Sequence, residues 1–199
     1  IARAEVRWLY FKPVKGSESY IGILDDINKA IALEPRNYQH LIVRSDILNR
    51  MGETDRALND YDLAIELEPR SFEAYTNRGI LKMNKYDYRS AVLDFTRSIL
   101  LNPADERNYR FRGLCYNNLN NLPDALIDFN KSIDLLSDQV SNLQNNESLK
   151  SILAETHILR GHCLTLMGND AQACRDFLMA HNLGTKKGLN YYRKYCGVY

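Results

Sequence analysis

Residues 58–69 read LNDYDLAIELEP, and the phrase returns 34 residues later as VLDFTRSILLNP at 92–103. One step earlier stands LDDINKAIALEP at 24–35, and one step later LIDFNKSI at 126–133. Pro35, Pro69 and Pro103 end the first three copies. Proline lacks an amide donor and turns the residue before it away from helix, so each copy reads as a helix with a fixed stop. Number a copy so that its proline is position 32. Position 20 then holds Ala57, Ala91 and Ala125, position 24 Tyr61, Phe95 and Phe129, and position 27 Ala64, Ser98 and Ser132. Upstream, position 8 is small as well: Ser45, Gly79 and Gly113. Small residues let two helices approach closely, and the ring at position 24 fills the space beside them.

A period of 34 residues with a closing proline is that of a helix–turn–helix repeat. On these residues the chain resembles the tetratricopeptide-repeat family over roughly residues 18–184. The resemblance implies an all-α fold, an alpha-alpha superhelix of antiparallel hairpins. It places a partial repeat at 4–37, then repeats at 38–71, 72–105, 106–139 and 154–187 in one domain. Gly161, Ala173, Phe177 and Ala180 occupy positions 8, 20, 24 and 27 of the last. The first helix of the partial repeat, around Ala2–Lys12, is short and is followed by Pro13 and Gly16. The family tryptophan at position 4 is replaced by Leu41, Tyr75, Tyr109 and His157.

From Gly113 to Gly161 is 48 residues, 14 beyond the period. Fourteen residues make about four helical turns. Residues 140–153 are therefore expected to lengthen a hairpin that turns at Asn145-Asn146; the competing reading is a polar loop. Thr185–Tyr199 holds four basic residues and no acidic one, with Leu189, Tyr192, Tyr195 and Cys196 at helical spacing. Residues 185–199 are expected to form a helix that caps the open apolar end of the stack.

Arg44, Arg78, Arg112 and Arg160 recur at position 7, and Asp26, Asp60, Asp94, Asp128 and Asp176 at position 23. A guanidinium on one helix and a carboxylate on the other predict a ladder of forked ion pairs inside the wall. The alternative is a row of arginines offered to an anionic ligand.

The resemblance also implies which positions of each first helix line the concave face. The candidate binding residues are Val43, Asp46 and Asn49, then Asn77, Ile80 and Asn84, then Arg107, Phe111, Leu114 and Asn118, and finally His162. Asparagine offers both a donor and an acceptor to a peptide backbone. The carboxylate clamp of the chaperone-adaptor members is not matched. Its five positions hold Ile42, Asp46, Asn77, Arg107 and Phe111, and Asp46 would repel a carboxylate.

Composition narrows the remaining classes. The chain has 199 residues, 45% hydrophobic and 26% charged, with a net charge of +1. That balance describes a folded chain and does not mark it as a nucleic-acid binder, although basic and aromatic residues alternate in KKGLNYYRKY at 186–195. No apolar run reaches the length that spans a bilayer. The chain opens on Ile1 and reads as a fragment or a processed form, with cytoplasmic and periplasmic settings both open. Cys115, Cys163, Cys174 and Cys196 form no CxxC pair and read as buried free thiols. His162, Cys163, Cys174 and His181 are the densest set of possible metal ligands, without the spacing of a helical metal site. No glycine-rich phosphate loop or nucleophile elbow is present, so no catalytic residue, metal or cofactor is expected. The sequence thus points to a non-enzymatic scaffold for an unidentified protein or peptide. The second reading is a structural module that self-assembles through its ends or the long hairpin.

Overall fold

The computed structural model describes residues 18–142 and 146–197, and all of its regular structure is α-helical. The expected helix at 2–12 and Asn145 of the expected turn lie outside the described residues. The described residues form two compact units, divided between Lys85 and Tyr86.

The first unit contains α1 (Glu18–Leu33), α2 (Tyr38–Met51), α3 (Thr54–Leu67) and α4 (Phe72–Asn84), each packed on the next. The second contains α5 (Tyr88–Leu101), α6 (Glu106–Asn118), α7 (Leu122–Asn142), α8 (Glu147–Leu166), α9 (Asp170–Asn182) and α10 (Lys186–Cys196), again packed in sequence order. The helix ends follow the local sequence. α1, α3 and α5 each end two residues before a proline. The side chains of Asn37, Ser71, Asp105 and Asn146 accept the first free amides of α2, α4, α6 and α8. Such caps contribute on the order of 1 kcal/mol each.

Where the fourth proline would fall stands Ser137, and α7 runs on to Asn142. α8 then starts at Glu147, seven residues ahead of Ala154, which opens the repeat pattern there. These two helices have 21 and 20 residues, against 16 or fewer in the others described. Their extra turns have a core of their own. Ile133, Leu136 and Leu153 are buried, with Val140, Leu149, Ile152 and Leu183 packed against them.

Small residues at the helix crossings set the spacing. A methyl group at Gly161 would come within 2.6 Å of the Phe177 ring, and one at Gly113 within 3.0 Å of Phe129. Tyr61, Phe95, Phe129 and Phe177, the four rings at position 24, are all fully buried. α10 approaches α9 as closely, since a methyl at Gly188 would sit 2.5 Å from the backbone nitrogen of His181.

One expectation is corrected here. Cys174 and Cys196 are not free thiols but form a disulfide, with Cα atoms 5.8 Å apart. α10 turns back along α9 after Gly184 and Thr185, and this brings the last residue of α10 beside the first turns of α9. Cys115 and Cys163 are free and buried, and burial pushes the Cys115 thiol up to about 12.

Candidate functional site

The arginines of the ladder are consumed within the wall. Arg44 donates from Nε and Nη2 to the two carboxylate oxygens of Asp60, both at 2.7 Å. Arg112 makes the same fork on Asp128 at 2.8 and 2.8 Å, and Arg160 on Asp176 at 2.8 and 2.6 Å. The third guanidinium nitrogen reaches back to the preceding hairpin. Arg44 donates to Asn28 at 3.0 Å, Arg78 to Asp62 at 2.6 Å, Arg112 to Thr96 at 3.0 Å and Arg160 to Asn130 at 2.7 Å. Those four acceptors all stand at position 25. The reach is 16 residues in the first three cases and 30 in the last. The difference is the 14-residue insertion, so the longer helices leave the wall in register. Arg44, Arg112 and Arg160 are thus staples, each forked onto its own hairpin and tied to the one before, and Arg78 is tied to the hairpin before it.

With the arginines engaged, what remains on the first helices is less uniform than the sequence implies. In the first unit, Asp46 on α2 and Asn77 on α4 meet at one atom. The buried Tyr61 hydroxyl donates to the Asp46 carboxylate, and Asn77 is a second hydrogen-bond partner of that hydroxyl. Burial raises the Asp46 carboxyl above its ordinary value. The Tyr61 hydrogen bond and the Arg50 charge only partly offset this, and Glu73 adds repulsion. Burial and the Asp46 charge likewise push the Tyr61 hydroxyl well up, so it stays a donor. Of the other candidates on this unit, Asn49 and Asn84 are exposed and Ile80 is half-buried. Val43 packs against the Tyr20, Ile23 and Ile27 cluster and belongs to the core.

On the second unit, Arg107 forks onto Asp105, the cap of its own helix, at 2.9 and 2.7 Å. Phe111 lies 5.8 Å from the Phe95 ring, with the Arg110 guanidinium 4.7 Å above its own. Leu114 is half-buried, and Asn118 is exposed, donating to the Leu114 carbonyl. Beside them Glu106 Oε2, Arg110 Nε and Asn117 Oδ1 are sealed from solvent without a hydrogen-bond partner among the described residues. Burial raises the Glu106 carboxyl, and Arg110, 3.7 Å away, offsets part of that. His162 lies apart from this group. It sits against Tyr191, Phe177 and Tyr195, with centroids at 4.4, 5.4 and 6.0 Å, under the capping helix α10. Burial and the Lys194 charge lower its pKa.

Three features escaped the sequence reading: the Tyr61 bridge, the disulfide and the pairing of His157 with Asp176. The first had a signal. Tyr61 is the one hydroxyl among four position-24 rings, and a buried hydroxyl needs a partner. Asp46 stands at position 9, where the other repeats carry Ile80, Leu114 and His162. Among the described residues no group of three or more His, Cys, Asp or Glu side chains is placed to hold a metal, and no helix is long and apolar enough to cross a membrane.

No protein-family model matches the chain, and no curated protein sequence matches it. Solved structures do. A MamA structure (residues 41 to the end) from Desulfovibrio magneticus RS-1 is 19% identical, covers 91% of this chain and 90% of its own, and superposes with a TM-score of 0.73. A tetratricopeptide repeat protein from Parabacteroides merdae is 18% identical over 95% and 93% of the two chains, with a TM-score of 0.57. Pseudomonas aeruginosa pilF is 16% identical over 93% of this chain and 76% of its own, with a TM-score of 0.73. At these identities the likeness establishes the fold: the chain has the all-α tetratricopeptide-type architecture of stacked helical hairpins.

Proposed function

We propose that the chain is a non-enzymatic scaffold that holds a polypeptide segment against the first helices of its hairpins. Folds of this kind present extended binding surfaces and act as protein-interaction modules. The observation that carries the reading here is the Asp46–Tyr61–Asn77 cluster. Two successive first helices meet at one buried hydroxyl, which leaves a half-buried carboxylate beside an amide and close to exposed Glu73. A carboxylate whose burial is under-compensated gains from an incoming donor, so the favoured segment carries a lysine or arginine at this point. Ile80, half-buried and three residues on from Asn77, supplies apolar contact on the same unit. The ladder arginines take no part, since their donors are already used.

The test is a selection of peptides from a random library on the immobilised chain. The expected winners are enriched in lysine or arginine flanked by apolar residues, and bind wild type at least tenfold more tightly than the Asn77→Ala or Asp46→Asn variant. Winners that bind both variants as well as wild type would refute the assignment.

A further inference from the structure

A cavity of about 390 Å³ opens between α7, α8 and α9, away from the candidate residues of the first helices. Its chemistry follows from which atoms are already engaged. Asp176 is buried, and its two oxygens accept three hydrogen bonds, two from Arg160 and one at 2.8 Å from His157 Nδ1. Asn130 spends its oxygen on Arg160, which leaves its NH2 group to offer. Gln172 spends its oxygen on Asn169 at 2.9 Å and likewise keeps its NH2 group. Arg175 is exposed at the wall and has no hydrogen bond or ion pair among the described residues. The wall is therefore rich in donors, with its one carboxylate saturated. Leu126, Leu164 and Met179 add an apolar rim.

The equivalent niche of the first unit differs in two ways. Beside Arg44 and Asp60 the cavity is about 170 Å³, and Arg56 in its wall is already paired with Glu53. Space and an uncommitted guanidinium coincide only at the later niche of these two.

We propose that the cavity between α7, α8 and α9 binds a carboxylate on a short aliphatic stem, as a glutamate of a partner polypeptide presents it. Arg175 is the charged anchor, the Asn130 and Gln172 amides complete the donor set, and the rim takes the stem. This site is independent of the reading given above, because it lies on other helices and takes the opposite charge.

Glutarate is the probe, with glutaramide as its uncharged counterpart and inorganic phosphate as the stemless anion. Side-chain NMR of the Arg175 Nε and His157 ring signals is followed during titration of the full chain. Glutarate is expected to shift both signals saturably in the millimolar range, and Arg175→Gln to weaken that response at least tenfold with an unchanged backbone spectrum. Glutaramide is expected to do nothing. No saturable shift with glutarate, an equal shift with glutaramide, or an undiminished response in Arg175→Gln would overturn the site. Phosphate binding as tightly as glutarate would overturn the aliphatic stem.

Discussion

Asp176 and Asp46 are both mostly buried acids in helical hairpins, and they are treated in opposite ways. Burial by itself would raise both. At Asp176 the hydrogen bonds and charges of Arg160 and His157 outweigh it and carry the carboxyl below its ordinary value. At Asp46 the Tyr61 hydroxyl and the Arg50 charge do not, and the carboxyl stays raised. The first is what a structural acid looks like, with every oxygen answered from within the wall. The second is held by fewer partners, with part of its lost solvation unreplaced, as the proposed binding role requires. Asp128 falls between them. It has the arginine fork without a histidine, and burial keeps its carboxyl raised.

The largest expected effect breaks the structural member of the comparison. Asp176→Ala leaves His157 and the Nε and Nη2 donors of Arg160 facing each other with no acceptor, and is expected to cost about 3–5 kcal/mol in urea unfolding. A loss under about 1 kcal/mol would show that the fork is decorative. Tyr61→Phe comes next. It removes the hydroxyl that Asp46 accepts from, and is expected to cost about 1–2 kcal/mol while raising the Asp46 carboxyl further, as carboxyl NMR would report. Asp46→Asn is the smallest. It keeps an acceptor for Tyr61 and removes the charge, so stability at pH 7 should change by less than about 1 kcal/mol.

The pH dependence of the two acids has opposite sign. Asp46 is raised above its ordinary 3.8, so between that value and its folded value the folded state binds more proton than the unfolded one. It therefore destabilises the fold above its folded value, and the penalty is relieved as pH falls toward 3.8. Asp176 is lowered, so its contribution is complete above 3.8 and is lost as pH falls further through its folded value. Asp46→Asn should reduce the gain on acidification above pH 3.8 to what the raised Glu106 and Asp128 carboxyls still supply, and leave the loss below it intact. A variant whose stability profile overlays wild type would remove the distinction.

The wall was legible in the sequence and the face was not. Arg44, Arg112 and Arg160 repeat in step with Asp60, Asp128 and Asp176, and a recurrent pair at fixed spacing on two antiparallel helices has one geometric outcome. The 14 extra residues fall in α7, α8 and the segment between them, and the ladder keeps its register across them. Face residues do not repeat, so each was placed by register alone and its neighbours stayed hidden. Arg107 is held by its own cap, Asp105. His162 occupies the position of Asp46, yet α10 lies on it. The disulfide was hidden because the return of α10 along α9 depends on tertiary packing at Gly188 and not on cysteine spacing.

The central claim is that first helices bind while the ladder holds. Amide hydrogen exchange of the full chain, with and without a library-selected basic peptide, tests it most directly. Slowed exchange is expected to be concentrated in α2 and α4, with the ladder-bearing turns of α3 unchanged. Protection confined to α1 and α3, or none at saturating peptide, would contradict it.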